Sequence, residues 1–169
     1  MIVTELENTL NDSTAKLFRE IGRFTPHSFN LSQGTGWSAA QVTEHILLTD
    51  ISVFRVLQGE LSFAGRKTDE KVPLIRETLK DRTKKLEATS AAAPSDMLKD
   101  PFSLQEKIMR ERNAIIQFLK SVEEDSICVS RPHRFLGELT ITEWIWFLIC
   151  HTDRHIEQIK EIEADEVQK

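Results

Sequence analysis

Apolar residues recur at steps of three and four positions in several stretches of the chain, a spacing that places them on one face of an α-helix. The first stretch, which includes Leu6, Leu10 and Leu17, predicts a helix over residues 2–21. This helix should end before Pro26, because proline lacks the backbone N–H that a continuing helix needs.

The second stretch predicts a helix that begins at Ser38 and ends near Leu57, just before Gly59. Ser38 and Gln41 have the spacing of a capping box, in which each side chain accepts a hydrogen bond from the backbone N–H of the other residue. Apolar residues surround most of this helix, so we expect it to be covered on more than one side, by the rest of the protein or by a second subunit.

Two further long helices are predicted nearer the end of the chain. One begins at Ser103, where the capping-box spacing occurs again, and the other begins at Thr140 with Glu143 as its capping partner and continues to about Ala164. The segment between them, residues 125–139, contains proline and glycine and shows no clear alternation of apolar and polar residues. It is therefore predicted to be a loop.

The connection between the second and third long helices, residues 59–102, is the least regular part of the chain. Residues 74–86 predict a short charged helix, and the residues after it predict irregular chain. A connection of this length can cross a bundle, so the helices that it joins need not be antiparallel neighbours. The whole pattern predicts one all-α domain over residues 1–169, a four-helix bundle with a long crossover.

Composition fits this prediction and excludes several classes of protein. The 169 residues are 40% hydrophobic and 29% charged, as in a globular domain. The net charge is -5 and the basic residues form no stripe, which argues against a nucleic-acid partner. No apolar run reaches the ~18 residues that predict a membrane span, and no secretory leader is apparent. Cys128 and Cys150 form no CxxC pair, so we expect a reduced, cytoplasmic protein. Because no apolar run is long enough to span a membrane, we also expect no membrane partner.

Candidate chemistry lies in the fourth long helix, where His151 and His155 are four positions apart and share a face. At about 100° per residue, Trp144, Leu148 and Ile159 point in nearly the same direction, so both imidazoles are expected inside the apolar stripe. A buried imidazole costs free energy unless it is hydrogen-bonded or coordinated. A metal ion between the two rings would remove that cost.

His45 of the second long helix can complete this site. Thr49 and Ser52 share its direction, and small polar side chains on an inward face indicate a cavity rather than solid packing. If the second and fourth long helices are neighbours, three imidazoles meet at one ion and leave a coordination position open, as in a catalytic metal site. The alternative is that the histidines are ordinary buried residues satisfied by hydrogen bonds.

Five further side chains are candidates for the pocket or for support of the ligands. Gln41 and Thr49 point the same way as the histidine of the second long helix. Gln158 lies on the face of the histidine pair, where it can orient a ligand. Trp144 can form a pocket wall, and Arg154 can contact an anionic substrate at the pocket edge.

Other reactive side chains are predicted to lie outside the site. His27 and His133 each follow a proline in a polar segment, which predicts surface positions, although the second can lie near the pocket mouth. Cys150 adjoins a candidate ligand but points about 100° away from it, so packing is its expected role. No dedicated general base is evident, which favours a mechanism in which the metal-bound group is itself the nucleophile.

Two separated motifs carry a family resemblance. The sequence GWSAAQVTEH at 36–45 opens the second long helix with Trp-Ser and places a histidine seven residues after the serine. The sequences FLGELTITEW at 135–144 and HTDRHIEQI at 151–159 cover the last predicted loop and the last helix. In this order and at this distance, these motifs resemble the DinB/YfiT-like superfamily of metal-binding four-helix bundles.

The resemblance implies an up-down-down-up bundle and a divalent metal, commonly zinc or nickel, on His45, His151 and His155. It also implies a homodimer in many members. The activities that it implies are thiol S-transfer with low-molecular-weight thiols such as bacillithiol or mycothiol, and metal-dependent hydrolysis of small molecules. A non-catalytic binding or stress-response bundle, with a structural metal or none, is the alternative. Three imidazoles accept zinc, nickel, cobalt or copper, so the residues alone do not select the metal.

Overall fold

The computed structural model describes residues 2–32, 34–83 and 87–167 of the chain. Its elements follow one another as α1 (Ile2–Ile21), α2 (Pro26–Phe29), α3 (Ala39–Leu57), β1 (Leu61–Phe63), α4 (Val72–Lys80), α5 (Pro101–Leu119), β2 (Ser126–His133), β3 (Gly137–Thr140) and α6 (Ile141–Val167). A short 3-10 turn at Ser90–Ala92 lies between α4 and α5. The predicted, predominantly helical fold is confirmed, with a small sheet in addition.

The four long helices form a closed ring of neighbours. Helix α6 packs against α1 and α3, and α5 packs against the other sides of the same two helices. The helix that carries His45 therefore lies beside the helix that carries His151 and His155, as the metal-site prediction requires. Helix α4 packs against α6 from outside the ring, and the 3-10 turn packs against α3.

Two apolar clusters fill the interior of the bundle, and each takes residues from all four long helices. Along α1 and α6 the chain passes from the first cluster to the second, and along α3 and α5 it passes from the second to the first. The first cluster contains Leu10, Val53, Ile115 and Ile145, and the second contains Leu17, Ile46, Ile108 and Ile159.

A polar layer separates the two clusters, and Arg112 of α5 is at its centre. This side chain is 1% exposed. Its Nε donates to Asp50 Oδ2 on α3 at 2.8 Å, its Nη1 donates to Thr14 Oγ1 on α1 at 2.8 Å, and its Nη2 donates to Thr152 Oγ1 on α6 at 2.7 Å. One guanidinium therefore joins all four long helices.

The partners of Arg112 are themselves held in place. The Thr14 and Thr152 hydroxyls donate to carbonyl oxygens one turn earlier in their own helices, at 2.7 and 2.8 Å. Burial raises the pKa of the Asp50 carboxyl, while the charge and hydrogen bonds of Arg112 act in the opposite direction. The layer fixes which helices lie side by side, since any other arrangement would leave a buried charge without its partner.

The segment that was predicted to be a loop, residues 125–139, is instead largely sheet. It supplies β2 and β3, and β1 completes an antiparallel sheet in the order β1-β2-β3. Cys128 pairs with Leu61 on one side and with Leu139 on the other. Adjacent Ile127 and Cys128 are both buried, so this strand lacks the alternation by which a strand is recognised in sequence.

Most helix starts are as predicted, and one is not. Helix α3 begins after Ser38, whose capping box with Gln41 is formed, so that prediction is confirmed. Helix α5 begins at Pro101 rather than at Ser103, because Asp100 is its N-cap and accepts from the Ser103 backbone N–H at 2.7 Å. Proline at the first helical position is favourable, because its missing donor would have been unsatisfied there.

Two shorter helices also differ from prediction. Helix α4 begins at Val72 and ends at Lys80, so it is shifted from the predicted range of 74–86, the last three residues of which lie outside the described part of the chain. Helix α2 was not predicted, and a capping box of Thr25 with Ser28 starts it. None of the helices in the described part of the chain is long and apolar enough to cross a membrane.

A buried carboxylate anchors the start of α6. Glu143 accepts from the Thr140 backbone N–H at 2.9 Å, from the Lys71 backbone N–H at 2.8 Å, and from the Arg66 guanidinium at 2.6 and 2.7 Å. Burial raises the pKa of Glu143, but these hydrogen bonds, with that of Arg66 the strongest, outweigh burial and lower it overall. The carboxylate thereby ties the segment before α4 to the end of the sheet.

We predict that Asp50→Ala lowers the free energy of unfolding by about 3–5 kcal/mol, because it leaves the Arg112 guanidinium buried without its counter-charge. Replacing both residues, with Arg112→Met as the second change, should recover part of that loss. Urea unfolding followed by circular dichroism measures both effects. The control Asp12→Ala, at an exposed position of α1, should stay within about 0.5 kcal/mol of wild type. An equally small effect of Asp50→Ala would contradict the role of the layer.

We predict that Glu143→Gln lowers the free energy of unfolding by about 2 kcal/mol at neutral pH, because four hydrogen bonds lose their charged acceptor. The folded-state pKa of Glu143 is lowered, so its stabilisation is complete above the unfolded pKa and is lost as the pH falls through the folded value. The difference between variant and wild type should shrink below about pH 4.5 in urea titrations. A difference that does not depend on pH would count against the charged acceptor.

Candidate metal centre

Three histidines from two neighbouring helices meet at one point. His45 lies on α3, and His151 and His155 lie one turn apart on α6. The Nε2 atom of His151 is 3.1 Å from Nε2 of His45 and 3.2 Å from Nε2 of His155. The ligand atoms of all three rings lie within 4.8 Å of one another, so the group could hold a metal ion. We call these residues the three-histidine group.

The surrounding structure holds each ring in place. The Nδ1 atom of His45 is 2.7 Å from the carbonyl oxygen of Ala92, in the 3-10 turn, and Nδ1 of His155 is 2.9 Å from Oε1 of Gln158. Phe147 stacks on the His151 ring at 5.6 Å with an angle of 25°. The α3 backbone is supported locally, because the Thr49 hydroxyl donates to the His45 carbonyl, but that bond does not reach the ring.

These contacts decide which nitrogens carry protons. Because the Ala92 and Gln158 oxygens are acceptors, the Nδ1 atoms of His45 and His155 must donate, and their neutral rings then have bare Nε2 lone pairs. Both lone pairs are directed at His151 Nε2, which has one proton at most and can serve only one of them. The group therefore has too few protons for its acceptors.

His151 adds a second unmet requirement. The residue is 8% exposed, and its Nδ1 atom is buried with no partner among the described residues. Either tautomer leaves a polar atom unsatisfied, which costs about 1–3 kcal/mol. A cation bound by all three Nε2 atoms would satisfy the three Nε2 lone pairs at once, with the proton of His151 on Nδ1. Tetrahedral zinc with bonds of about 2.0–2.1 Å separates two nitrogen ligands by about 3.3 Å. The two separations from His151 Nε2, 3.1 and 3.2 Å, are close to that value.

The electrostatic environment keeps the imidazoles neutral. Burial lowers the pKa of His45, although the hydrogen bond to Ala92 opposes it. Burial, with the charge of His45, lowers the pKa of His155 to about 4, and burial takes the pKa of His151 well below its ordinary value. Neutral imidazole is the form that binds a metal. The rings are therefore in the ligating state at neutral pH.

The three-histidine group borders a cavity of about 390 Å³. Helices α3 and α6 form one part of its wall, and the rest comes from the end of α4, the 3-10 turn with the residues before it, and the β2–β3 hairpin. Most of the lining is apolar. Polar or charged lining residues, besides the three-histidine group, are Thr49, Ser52, Thr78, Glu87, Thr89, Arg131, His133, Arg134 and Arg154.

The structure places four of the five predicted supporting residues near the site. Thr49, Trp144 and Arg154 line the cavity, and Gln158 pairs with a ring of the three-histidine group. Gln41 does not line it; its side chain accepts from the Ser38 backbone N–H in the capping box and donates to Asp96. Gln41 and His45 point in nearly the same direction from α3, but the Gln41 side chain pairs with Asp96 and does not reach the cavity.

His133 does not occupy the surface position predicted for it. It is half-buried in the cavity wall, with its ring 4.9 Å from that of Phe147 and 5.6 Å from that of Trp144. The sequence shows only a histidine after proline, whereas the β2 strand turns the ring inwards. His27 is exposed as predicted. Cys150 is half-buried and lies outside the cavity, and burial raises the pKa of its thiol to about 11, which disfavours the thiolate.

Several contributors to the site were not predicted. The segment of residues 59–102 had no assigned role, yet it supplies the Ala92 carbonyl that orients His45. A backbone acceptor has no sequence signal of its own. Phe147 did have a signal, because it lies four residues before His151 and therefore on the same face. Arg131 and Arg134 could be placed at the cavity only once the hairpin was known.

A helical bundle in which convergent imidazoles border a small cavity defines a class of candidate metal-binding helical proteins. The sequence pattern of the DinB superfamily matches residues 5–159 of this chain, which include the three-histidine group. The chain therefore belongs to the DinB superfamily, and the resemblance stated from its motifs is confirmed.

The chain is also similar to a curated protein of Bacillus subtilis (strain 168), the uncharacterized protein YuaE. The two are 29% identical over 126 residues, which cover 75% of this chain and 76% of the relative. The name of this relative specifies no activity. No solved structure matches the chain at a significant level.

We predict that His151→Leu leaves the free energy of unfolding of the metal-free protein within about 1 kcal/mol of wild type. Leucine has a similar volume, so the packing is kept. Removing the unpartnered Nδ1 atom stabilises the protein, and this gain offsets the loss of the contacts between His151 Nε2 and the other two rings. Chemical denaturation in the presence of a chelator measures this. His27→Leu, at an exposed position, is the control for the histidine-to-leucine change. A loss of several kcal/mol would mean that His151 is an ordinary satisfied core residue.

Proposed function

We propose that this protein is a metal-dependent enzyme that activates a small-molecule thiol at the three-histidine group and transfers it to a small electrophile. The observation that supports this proposal most directly is the convergence of three Nε2 atoms, two of which have bare lone pairs. An ion held there would have three protein ligands and an open position, as catalytic sites do. Hydrolysis of small molecules is the second candidate.

A divalent ion with an open position lowers the pKa of a thiol or water bound there, and so supplies a nucleophile near neutral pH. The protein must hold the ligands and exclude bulk water. His45 and His155 would be kept in the ligating tautomer by the Ala92 carbonyl and by Gln158. Phe147, stacked on His151, would fix the third ring.

The lining of the cavity favours a thiol over water as the activated group. A thiol loses its proton outright on coordination to a metal, whereas hydrolysis commonly needs a base to manage protons. Of the residues that the structure describes, Glu87 is the only acidic one that lines the cavity, and it is exposed. The apolar lining, including Trp144 and Leu136, suits the carbon skeleton of a small substrate.

The remaining assignments belong to the same proposal. We propose zinc or nickel as the metal, since imidazole nitrogens suit both ions. A low-molecular-weight thiol would be one partner and an electrophilic small molecule the other. The homodimer and the cytoplasmic location stay predictions. Arg154 would form part of the cavity wall, where its guanidinium donates to the Leu79 and Asp81 carbonyls at 3.0 and 2.7 Å.

We predict that the purified protein binds one zinc or nickel ion per chain, measured by mass spectrometry of metal content after dialysis. The bound protein should conjugate a thiol to 1-chloro-2,4-dinitrobenzene, followed by absorbance, and a chelator should abolish turnover until metal is restored. Alanine at any residue of the three-histidine group should remove the ion. Gln158→Ala should weaken metal affinity by about 10–100-fold, because it only orients His155.

The control His27→Ala should bind the metal as wild type does, because that residue is exposed and lies outside the group. Turnover of an ester substrate without thiol would shift the assignment to hydrolysis. Metal binding with no turnover, together with ligand binding that survives chelation, would support a non-catalytic binding protein. A chain that takes up none of zinc, nickel or manganese would overturn the proposal.

A further inference from the structure

One part of the cavity wall consists of hydrogen-bond donors. The residues at 131–134, where β2 leads into the hairpin, all line the cavity, and three of them are Arg131, His133 and Arg134. Each guanidinium offers only N–H donors. We call these three side chains the donor wall. They are close in sequence to one another but come from a different segment than the three-histidine group.

The His133 ring is oriented as a donor by its backbone contacts. Its Nδ1 atom accepts from the backbone N–H groups of Phe135 and Leu136, at 3.3 Å each. A neutral imidazole with an accepting Nδ1 has its proton on Nε2. The ring therefore adds a third donor to the two guanidinium groups, and the donor wall contains no acceptor side chain.

The three arginines that line the cavity differ in their partners. Arg134 donates to the Glu87 carbonyl at 3.0 Å and stacks over Phe135 at 4.3 Å. Arg154 is bound to backbone carbonyls of the segment that ends α4. In the described part of the chain, by contrast, no hydrogen bond or ion pair involves Arg131. One guanidinium at the cavity thus has no protein acceptor among the described residues and faces solvent.

The charge of the lining is unusual for this molecule. The whole chain has a net charge of -5, yet the cavity has Arg131, Arg134 and Arg154 against Glu87 alone among the described acidic residues. A cationic lining in an acidic protein attracts anionic small molecules and repels cationic ones. Guanidinium in particular matches the planar carboxylate, with two parallel hydrogen bonds.

We propose that the cavity selects thiols that bear a carboxylate, which Arg131 binds at the donor wall while the sulfur reaches the three-histidine group. This inference rests on the proposed function for the role of the sulfur. Arg134 and His133 add donors beside the carboxylate, and the apolar lining holds the carbon chain between the two ends. Neutral thiols of the same length bind more weakly, because they offer the solvated Arg131 guanidinium no charged, bidentate acceptor.

Two thiols of equal chain length test the proposal, 3-mercaptopropionate and 3-mercapto-1-propanol. Isothermal titration calorimetry with the zinc-loaded full chain measures the affinity for each, and the same titrations with the metal-free chain measure carboxylate recognition alone. We expect the carboxylate to bind about three- to fivefold more tightly, the range of a solvent-exposed ion pair with a guanidinium. Preference should fall as salt concentration rises, because Arg131 is exposed to solvent.

Arg131→Gln removes the charge without breaking any described contact, and should reduce the preference for 3-mercaptopropionate to within about twofold. The matched control is Arg110→Gln, an exposed arginine of α5 outside the cavity, which makes the same change in net charge. It should leave the preference at the wild-type value. Equal affinities for the two thiols in wild type, or an unchanged preference in Arg131→Gln, would overturn the proposal.

A spectroscopic readout separates this proposal from the function on which it rests. In the cobalt-loaded protein, a sulfur that binds the metal changes the visible absorption of the ion. If both thiols change the spectrum with equal affinity, thiol activation stands and the carboxylate selection fails. If neither thiol changes the spectrum but 3-mercaptopropionate still binds in an Arg131-dependent way, the donor wall stands and the thiol role fails.

Discussion

The guanidinium of Arg112 is the constraint on which the rest of the bundle depends. Hydrophobic burial alone would allow four amphipathic helices to pack in several arrangements, since apolar faces are poorly selective. A buried cation that must reach Asp50, Thr14 and Thr152 admits few of them. The same layer brings α3 and α6 together within a few residues of His45 and His151. The geometry of the three-histidine group is therefore set in part by an ion pair that belongs to the core.

The sequence predicted those parts of the fold that depend on local pattern. Helix α1 and the start of α3 at Ser38 follow from apolar spacing and side-chain capping, and both are observed. The hairpin was missed because buried Ile127 and Cys128 are adjacent, so the strand does not alternate. The start of α5 was misplaced because two residues of similar capping ability, Asp100 and Ser103, compete, and the proline between them favours the first.

The site was predictable to a similar extent. Imidazoles inside an apolar stripe are costly, so His151 and His155 on one helix face indicated a ligand even without a structure. From the residue pattern alone, their partner His45 could be assigned only by supposing that two helices are neighbours, which the packing of α3 on α6 now supports. Contacts made by backbone atoms, such as the Ala92 carbonyl, have no counterpart in side-chain pattern. Long-range placement of Arg131 and His133 likewise required the sheet.

The three-histidine group and the donor wall occupy different kinds of structure. The imidazoles stand on long helices packed into the core. Residues 131–136, at the end of β2 and in the hairpin turn, and the 3-10 turn at Ser90–Ala92 belong instead to the connections between long helices. Connections accept insertions and exchanges that helices in a packed core do not. Under the proposed function, exchange of these connections would change the substrate while the three-histidine group stayed the same. Changes in substrate preference and the stability of the fold would then depend on separate portions of the chain.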